Sequence, residues 1–199
     1  MPNCTVLEPD LALAKRVIRH TTGVGFNLNE ERDPVSTMKR LGELPEADAT
    51  GRKPGIMITL DWKHARIIDF IRCKHTIEQE HPLQNMNISL LVRRDEYQAF
   101  AGSDVFVEAT RLAHACGDPG ILLKRCDETA NATSPCGELW LHPNEVCNLG
   151  NINVSHFLIG KKWLAKEFEA CVLNCLVFLD AVRSRFIYFN DEMRRVSER

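Results

Sequence analysis

Cysteine and glutamate side chains supply the most reactive groups in the stretch NATSPCGELWLHPNEVCNLGNINVSHF. Glu138 stands two residues after Cys136, and a second cysteine, Cys147, follows Cys136 by eleven residues. Thiols serve redox, nucleophilic and metal-binding chemistry, and a nearby carboxylate can move protons. The same pattern fits a buried cysteine beside a solvated acid, so the residue types alone leave both interpretations open.

The chain contains eight cysteines, many for a sequence of 199 residues without a secretory signal. In a reducing compartment, cysteines are more often buried, metal-bound or catalytic than bridged. Cys171 and Cys175 lie four apart on one face of a predicted helix, and we expect both in the core. Cys73 and Cys116 close helical patterns and are expected to pack as well. The remaining candidates for chemistry are Cys4, Cys126, Cys136 and Cys147.

Composition excludes several classes of partner. Hydrophobic residues make up 44% of the chain, charged residues 26%, and the formal net charge is −2. This balance is typical of a soluble globular domain, and it gives no support to binding of nucleic acid or of a membrane surface. The longest apolar run, near 171–179, is too short to span a bilayer, and the N-terminus lacks a signal-peptide pattern. We therefore expect a cytoplasmic protein.

Strands and helices are predicted to alternate along the chain. Strands are expected in CTVLEP, IMITLDW and MNISLLV, with a further one at NINVSHF. Helices are expected in DLALAKRVIRH, in HARIIDFIRCKH, in DVFVEATRLAHAC with Gly117 as its C′ residue, and over about 164–186. Alternation of this kind predicts an α/β fold with about four to five mainly parallel strands and flanking helices.

Two regions are expected to be irregular. Residues 27–55 form a predicted long loop with one short helical turn near Met38, and residues 118–155 show little helical pattern. Gly23 and Gly25 are predicted to form a turn between the first helix and the next strand.

A zinc site is one alternative for the cysteine-rich segment. Cys126, Cys136, His142 and Cys147 could supply four soft ligands, but the segment contains no Cys-x-x-Cys pair and its spacings are irregular. This alternative predicts stoichiometric zinc in the purified protein. P-loop and dinucleotide-binding motifs are not present in the sequence.

Eight short motifs follow one another along nearly the whole chain: CTVLEP, TGVGFNLNE, GRKPGIMITLDWKHARIIDFI, NISLLV, ACGDPGILL, SPCGE, EVCNLGNIN and FLDAV. In this order they resemble the catalytic large subunit of ribonucleotide reductase, most closely its adenosylcobalamin-dependent class. The resemblance implies an oxidoreductase that binds nucleotides and makes deoxyribonucleotides for DNA replication. Its implied partners are a ribonucleoside di- or triphosphate, a thioredoxin-type reductant and adenosylcobalamin as cofactor; no structural metal is implied.

The resemblance assigns roles to four residues. Cys136 matches the cysteine that becomes a thiyl radical and removes the 3′-hydrogen of the ribose. Glu138 matches the carboxylate that takes the 3′-hydroxyl proton. Cys4 and Cys147 match the redox pair that delivers the reducing equivalents and ends as a disulfide.

Further positions match with departures. Gly23 and Gly25 match a glycine-rich substrate-binding segment, but Thr21 and Thr22 stand where the family has more glycines and are expected to crowd the substrate. Arg52 and Lys53 match paired arginines in a loop that senses the effector or base; a solvated basic loop is the alternative. Ser134 stands at a family asparagine that would hold the substrate hydroxyls.

The match implies roughly half of the ten-stranded reductase barrel, so we expect residues 1–199 to form a single partial barrel domain. A split enzyme would need a second chain, or a second copy, to complete the barrel. The alternatives are an inactive remnant, an interaction protein that binds a full-length reductase, and a shortened relative with another nucleoside reaction.

Overall fold

A computed structural model describes residues 2–47, 51, 53–75 and 81–198. A six-stranded sheet forms its centre. The strands of this sheet are β1 (Cys4–Leu7), β2 (Gly23–Asn27), β3 (Gly55–Asp61), β4 (Met86–Arg93), β5 (Gly120–Lys124) and β8 (Val146–Cys147). Strands are numbered in chain order, so the four strands of two separate hairpins take the remaining numbers. The hairpin strands are β6 (Ala132–Thr133) with β7 (Trp140–Leu141), and β9 (Leu158–Ile159) with β10 (Lys162–Trp163).

The strand order is β5-β4-β3-β2-β1-β8. Strands β1 to β5 run parallel to their neighbours, whereas β8 is antiparallel to β1. The inner strands are buried on both faces, as expected for parallel strands rich in Ile, Leu and Val. The predicted α/β class with mainly parallel strands is therefore confirmed.

Seven helices flank the strands in the described residues: α1 (Leu11–Ile18), α2 (Pro34–Gly42), α3 (Ile67–Arg72), α4 (Tyr97–Ala101), α5 (Asp104–Cys116), α6 (Ala165–Arg183) and α7 (Asp191–Ser197). Side-chain caps fix several of their first turns. The Asp10 carboxylate accepts from the amides of Ala12 and Leu13 at the start of α1. Gly117 adopts a left-handed conformation (φ 87°) after α5, which confirms its predicted C′ position. None of the helices in the described residues is long and apolar enough to cross a membrane.

Hydrophobic side chains cover the two faces of the sheet unequally. The main core lies between the sheet and the helices and includes Val17, Phe26, Ile58, Phe70 and Leu112. A second, smaller cluster comprises Cys4, Val6, Ala132, Leu141 and Cys147. The β6–β7 hairpin contributes to this second cluster, so two of the candidate cysteines lie beneath that hairpin.

Four local predictions were wrong. Gly23 and Gly25 lie inside strand β2 rather than in a turn. The region expected to be a loop between 27 and 55 contains helix α2, which is capped by Asp33 and begins with Pro34. Residues 118–155 contain strand β5, and the strand expected at NINVSHF is a 3-10 turn over Val154–Phe157, because the Asn153 side chain caps it by accepting from the Ser155 amide (3.1 Å).

The packing predicted for four cysteines is confirmed for one of them. Cys73 packs against the main core. Cys116 is exposed, so its predicted burial is wrong. Cys171 and Cys175 are only half-buried because α6 buries none of its residues within the described part of the chain.

Candidate active site

Cys4 and Cys147 are direct partners in the strand register between β1 and β8. Both side chains are buried, with exposed fractions of 5% and 7%. The amide of Asn3 donates to the Cys147 carbonyl (3.1 Å), which fixes the start of β1 against β8. Two cysteines far apart in sequence therefore converge at one end of the sheet, as the resemblance implies.

The hydrogen bond between the two thiols gives Cys4 and Cys147 different pKa values. A hydrogen bond from Cys147 lowers the pKa of Cys4 to about 7 against the opposing effect of burial. The same hydrogen bond with Cys4, followed by burial, raises the pKa of Cys147. Near neutral pH, the pair therefore favours a thiolate at Cys4 and a protonated donor at Cys147. Such an arrangement suits thiol–disulfide chemistry.

The SPCGE segment forms the tip of the β6–β7 hairpin. The Ser134 amide donates to the Leu139 carbonyl (3.1 Å), and the Gly137 amide donates to the Ser134 carbonyl (2.9 Å). Gly137 has φ 78°, a left-handed conformation that favours glycine. This tight turn holds Cys136 and Glu138 at the tip, where both are exposed.

The hairpin rests directly on glycines of the sheet. A Cβ atom at Gly23 would lie 2.3 Å from Cγ of Pro135, and one at Gly25 would lie 2.0 Å from the Thr133 carbonyl oxygen. Asn87 on β4 donates from Nδ2 to the Pro135 carbonyl (2.7 Å). The glycines of β2 therefore let the hairpin approach the strand. The contact with the substrate that the resemblance implies for these glycines stays a prediction.

Electrostatic interactions join the tip of the hairpin to the cysteine pair. Partial burial raises the pKa of Cys136, and the negative charges of Glu138 and Cys4 raise it further. Glu138 also acts on Cys4 and on Cys147. The three cysteines and the carboxylate thus form one cluster in which Cys136 keeps its hydrogen at neutral pH while Cys4 tends to lose its proton.

Ser134 does not present its hydroxyl at the surface. The side chain is fully buried, and its Oγ accepts from the Leu139 amide (3.3 Å). This hydroxyl makes a hydrogen bond within the hairpin, and the substrate contact expected at the family asparagine stays a prediction.

Lys53 lines a cleft of about 570 Å³ together with Ile18, Arg19, His20, Thr21, Thr22, Glu46, Ala47 and Pro54. Thr22 borders this cleft and also contacts Cys4, so the cleft adjoins the cysteine pair. Arg52, the other basic residue expected here, lies outside the described residues.

Sequence reasoning missed three residues that support the cluster. Asn3 links β8 to the start of β2, Asn87 holds the hairpin, and the Thr22 hydroxyl lies 3.9 Å from Cys4 Sγ. Asn87 belongs to the NISLLV motif, and Thr22 is one of the departures from the family glycines. Both could have been found from those signals.

The ligands proposed for zinc are not assembled. Within the described ranges, no group of three or more His, Cys, Asp or Glu side chains is placed to hold a metal ion. His142 instead contacts Thr129 through Nε2 (2.8 Å) and Glu145 through Nδ1 (3.3 Å).

Comparison with known proteins identifies the relatives of this arrangement. A vitamin B12-dependent ribonucleoside-diphosphate reductase from Mycobacterium tuberculosis is 31% identical over 160 residues, which cover 66% of this chain and 23% of the relative. An enzyme of the same name from Thermoplasma acidophilum is 28% identical over 191 residues, covering 80% of this chain and 25% of the relative. The chain therefore spans about a quarter of the length of these curated relatives.

A solved structure shares the fold. The alpha subunit of the class Id ribonucleotide reductase from Actinobacillus ureae superposes with a TM-score of 0.58 at 16% identity, over 71% of this chain and 33% of that one. No protein-family model matches the chain. The chain thus resembles part of a ribonucleotide reductase catalytic subunit, as its motifs predicted. Within that class, the curated relatives are the vitamin B12-dependent enzymes.

Proposed function

We propose that this chain supplies the thiol-bearing part of a ribonucleotide reductase active site, which reduces ribonucleotides to 2′-deoxyribonucleotides. The observation that carries this proposal is the register pairing of Cys4 with Cys147 within electrostatic reach of Cys136 and Glu138. One set of residues thereby offers a radical-forming thiol, a proton acceptor and a two-electron reductant.

The reaction would divide among these residues as follows. A thiyl radical at Cys136 removes the 3′-hydrogen atom of the ribose, and Glu138 takes the 3′-hydroxyl proton. The C2′–O bond breaks and its oxygen leaves as water. Cys4 and Cys147 give up two hydrogen atoms in total and join in a disulfide. One of these hydrogens forms the C2′–H bond and the other leaves in the water. The 3′-hydrogen returns from Cys136, so that the thiyl radical is regenerated, and Glu138 returns its proton to the 3′-oxygen.

Adenosylcobalamin is the cofactor that the relatives' names favour. When bound, it supplies the radical chemistry that oxidises a thiol. The exposed thiol of Cys136 at the hairpin tip fits that use, because a group outside the chain can reach it and its raised pKa keeps the S–H bond intact at neutral pH. Holding the cofactor requires residues beyond those assigned here.

The relatives' names also favour a ribonucleoside diphosphate over a triphosphate as the substrate. A dithiol reductant of the thioredoxin type would reopen the Cys4–Cys147 disulfide, and this cycle suits a reducing compartment such as the cytoplasm.

We also propose that a binding partner covers the exposed apolar surface of helix α6. Leu173, Leu176, Val177 and Phe178 expose more than half of their surface on this helix, the last two 71% and 67%. An apolar surface of this kind favours association. We assign it to the remaining part of a reductase barrel, in a second chain or a second copy.

The experiment that tests the function uses the chain purified under mild conditions from its native host, with any polypeptides that stay bound. Ribonucleoside diphosphate, dithiothreitol and adenosylcobalamin are supplied, and 2′-deoxynucleotide is measured. We expect product from the unaltered protein, none from Cys136→Ser, and undiminished product from Cys116→Ser. Cys116 is a matched control because it is exposed on α5, outside the cluster.

Product formed by Cys136→Ser would contradict the proposed radical cysteine. Product formed equally without adenosylcobalamin would contradict the cofactor. No product from any preparation would contradict the proposed function itself.

A further inference from the structure

The Thr22 side chain lies between the cysteine pair and the cleft that Lys53 lines. Thr22 directly precedes strand β2 and is exposed. Its Oγ1 donates to the Asn3 carbonyl (2.7 Å) and lies 3.9 Å from Cys4 Sγ. A threonine hydroxyl has one hydrogen to donate and can accept others. With its hydrogen on the Asn3 carbonyl, Oγ1 is free to accept from the Cys4 thiol.

The backbone around Asn3 fixes where this hydroxyl lies. The Asn3 carbonyl also accepts from the amides of Thr22 (2.8 Å) and Gly23 (3.2 Å), and the Asn3 amide donates to the Cys147 carbonyl. The Thr22 carbonyl in turn accepts from the Gly55 amide (2.9 Å). The backbone of residue 22 is therefore tied to Asn3, which precedes Cys4, and to β3, and the hydrogen bond to the Asn3 carbonyl holds the side-chain hydroxyl near the sulfur.

We propose that Thr22 is a positioning residue for the cysteine pair: its hydroxyl fixes the Cys4 sulfur through a hydrogen bond and stabilises the thiolate at Cys4. This inference rests on the proposed function for its purpose, but the geometry stands without it. When Cys4 is protonated, its S–H bond points to Thr22 Oγ1. When Cys4 is a thiolate, the hydroxyl hydrogen turns to the sulfur, and the Asn3 carbonyl keeps its two amide donors.

A stabilised thiolate at Cys4 sets the direction of disulfide reduction. In thiol–disulfide exchange, the sulfur with the more stable thiolate is the better leaving group. An incoming thiolate therefore attacks the Cys147 sulfur, a new mixed disulfide forms on Cys147, and Cys4 leaves as the thiolate. In the reduced pair, the hydrogen bond from Cys147 contributes most to the lowered pKa of Cys4, and the hydrogen bond from Thr22 adds to it. In the mixed disulfide the Cys147 sulfur carries no hydrogen, so the hydrogen bond from Thr22 is the one that remains to stabilise the leaving thiolate.

The test measures the thiol itself and needs no nucleotide or cofactor. Alkylation of the reduced chain by iodoacetamide is followed at the Cys4 peptide by mass spectrometry across a pH series, for the unaltered chain, Thr22→Val, Thr22→Ser and Thr21→Val. Thr21 is the matched control, because its hydroxyl donates to the Val17 carbonyl (3.2 Å). Restricted access of iodoacetamide to Cys4 slows the reaction equally at every pH and therefore does not move the half-maximal pH.

We expect half-maximal alkylation of unaltered Cys4 near its pKa of about 7. Thr22→Val should raise this pH by about half a unit and lower the rate at neutral pH about twofold. Thr22→Ser and Thr21→Val should match the unaltered chain. As a second readout, glutathione trapped on the oxidised chain should map to Cys147, with a larger share on Cys4 in Thr22→Val.

An unchanged pH profile in Thr22→Val, or an equal shift in Thr21→Val, would overturn the inference. The profile is independent of turnover, so its outcome is distinct from that of the reductase assay. If the profile shifts as expected and no deoxynucleotide forms, the positioning role stands and the proposed function fails. If deoxynucleotide forms and the profile does not shift, the proposed function stands and the role of Thr22 fails.

Discussion

Cys4 pairs with Cys147 across the single antiparallel junction of an otherwise parallel sheet. Directly opposed residues of antiparallel strands bring their Cβ atoms about 4.5–5.5 Å apart, close enough for two thiols to meet. The neighbouring parallel pair places Gly23 opposite Cys4 on the other side. Cys4 is thus flanked by Cys147 on β8 and by Gly23 on β2. The hairpin packs on the β2 side, where Pro135 lies against Gly23.

The acidity of Cys4 depends on its partner, which gives a first prediction. Removing the donor in Cys147→Ala should return the pKa of Cys4 from about 7 toward its ordinary value of 9.0. Because the fraction of Cys4 that is thiolate at neutral pH falls as its pKa rises, alkylation of Cys4 at neutral pH should fall by roughly tenfold. Cys171→Ala is the control and should leave the Cys4 profile unchanged. An unshifted profile in Cys147→Ala would show that the hydrogen bond does not set the acidity.

The packing of the β6–β7 hairpin on Gly25 of β2 gives a second prediction. In Gly25→Ala, the new methyl group would meet the Thr133 carbonyl oxygen at 2.0 Å, a backbone atom that cannot swing aside. We expect the free energy of unfolding, measured in urea, to fall by about 3 kcal/mol. Gly102→Ala is the matched control, since the nearest atom to its new methyl group is 3.6 Å away. Equal stability of the two variants would contradict this packing.

The hydrogen bond from the Leu139 amide to the Ser134 hydroxyl, within the hairpin, gives a third prediction. Ser134→Ala removes the oxygen that accepts from the Leu139 amide. We expect amide hydrogen exchange at Leu139 to accelerate and the free energy of unfolding to fall by about 1 kcal/mol. Ser155→Ala, which alters an exposed serine elsewhere, should leave Leu139 exchange unchanged. Unaltered exchange in Ser134→Ala would mean that the serine hydroxyl is available for another contact.

The buried ion pair between Lys74 and Asp118 gives a fourth prediction. Lys74 is 5% exposed, and its Nζ donates to Asp118 Oδ2 and to the Met86 carbonyl. Lys74→Met should lower the free energy of unfolding by about 3–5 kcal/mol, because it leaves the Asp118 carboxylate partly buried without its cation. The double variant Lys74→Met, Asp118→Asn removes both charges and should recover part of the loss. No recovery would point to lost packing as the cause.

Regular, strongly patterned elements were predictable from the sequence. The β-branched and leucine-rich runs of β3 and β4 identify buried strands, and Gly117 identifies the end of α5. Helix α2 was predicted only as a short helical turn near Met38, although Asp33 and Pro34 form a recognisable N-terminus and Pro34, Thr37, Met38 and Leu41 have helical spacing. Strand β5 was missed because a Gly-Asp-Pro-Gly turn signal precedes it and an irregular polar segment follows it.

The candidate site was predictable only where residue type carries chemistry. Cys4, Cys136, Glu138 and Cys147 stand out by type, and their family motifs place them together. Gly23 and Gly25 suggested a turn because glycine is most often found in turns; their use in a strand depends on Pro135 and Thr133, more than a hundred residues further along the chain. Contacts of that sequence separation, such as that of Asn3 with Cys147, leave no local pattern to detect.

The register pairing of Cys4 with Cys147 also bears on how firmly the fold is held. A disulfide between them would close a loop of roughly 140 residues, and the entropy that it removes from the unfolded ensemble would favour the native state by about 5 kcal/mol. In the proposed reaction, each cycle would alternate between a sheet cross-linked by the disulfide, which resists unfolding, and a reduced sheet, which unfolds more readily. Reduction of the pair by the electron donor would therefore also remove the covalent link between β1 and the short edge strand β8.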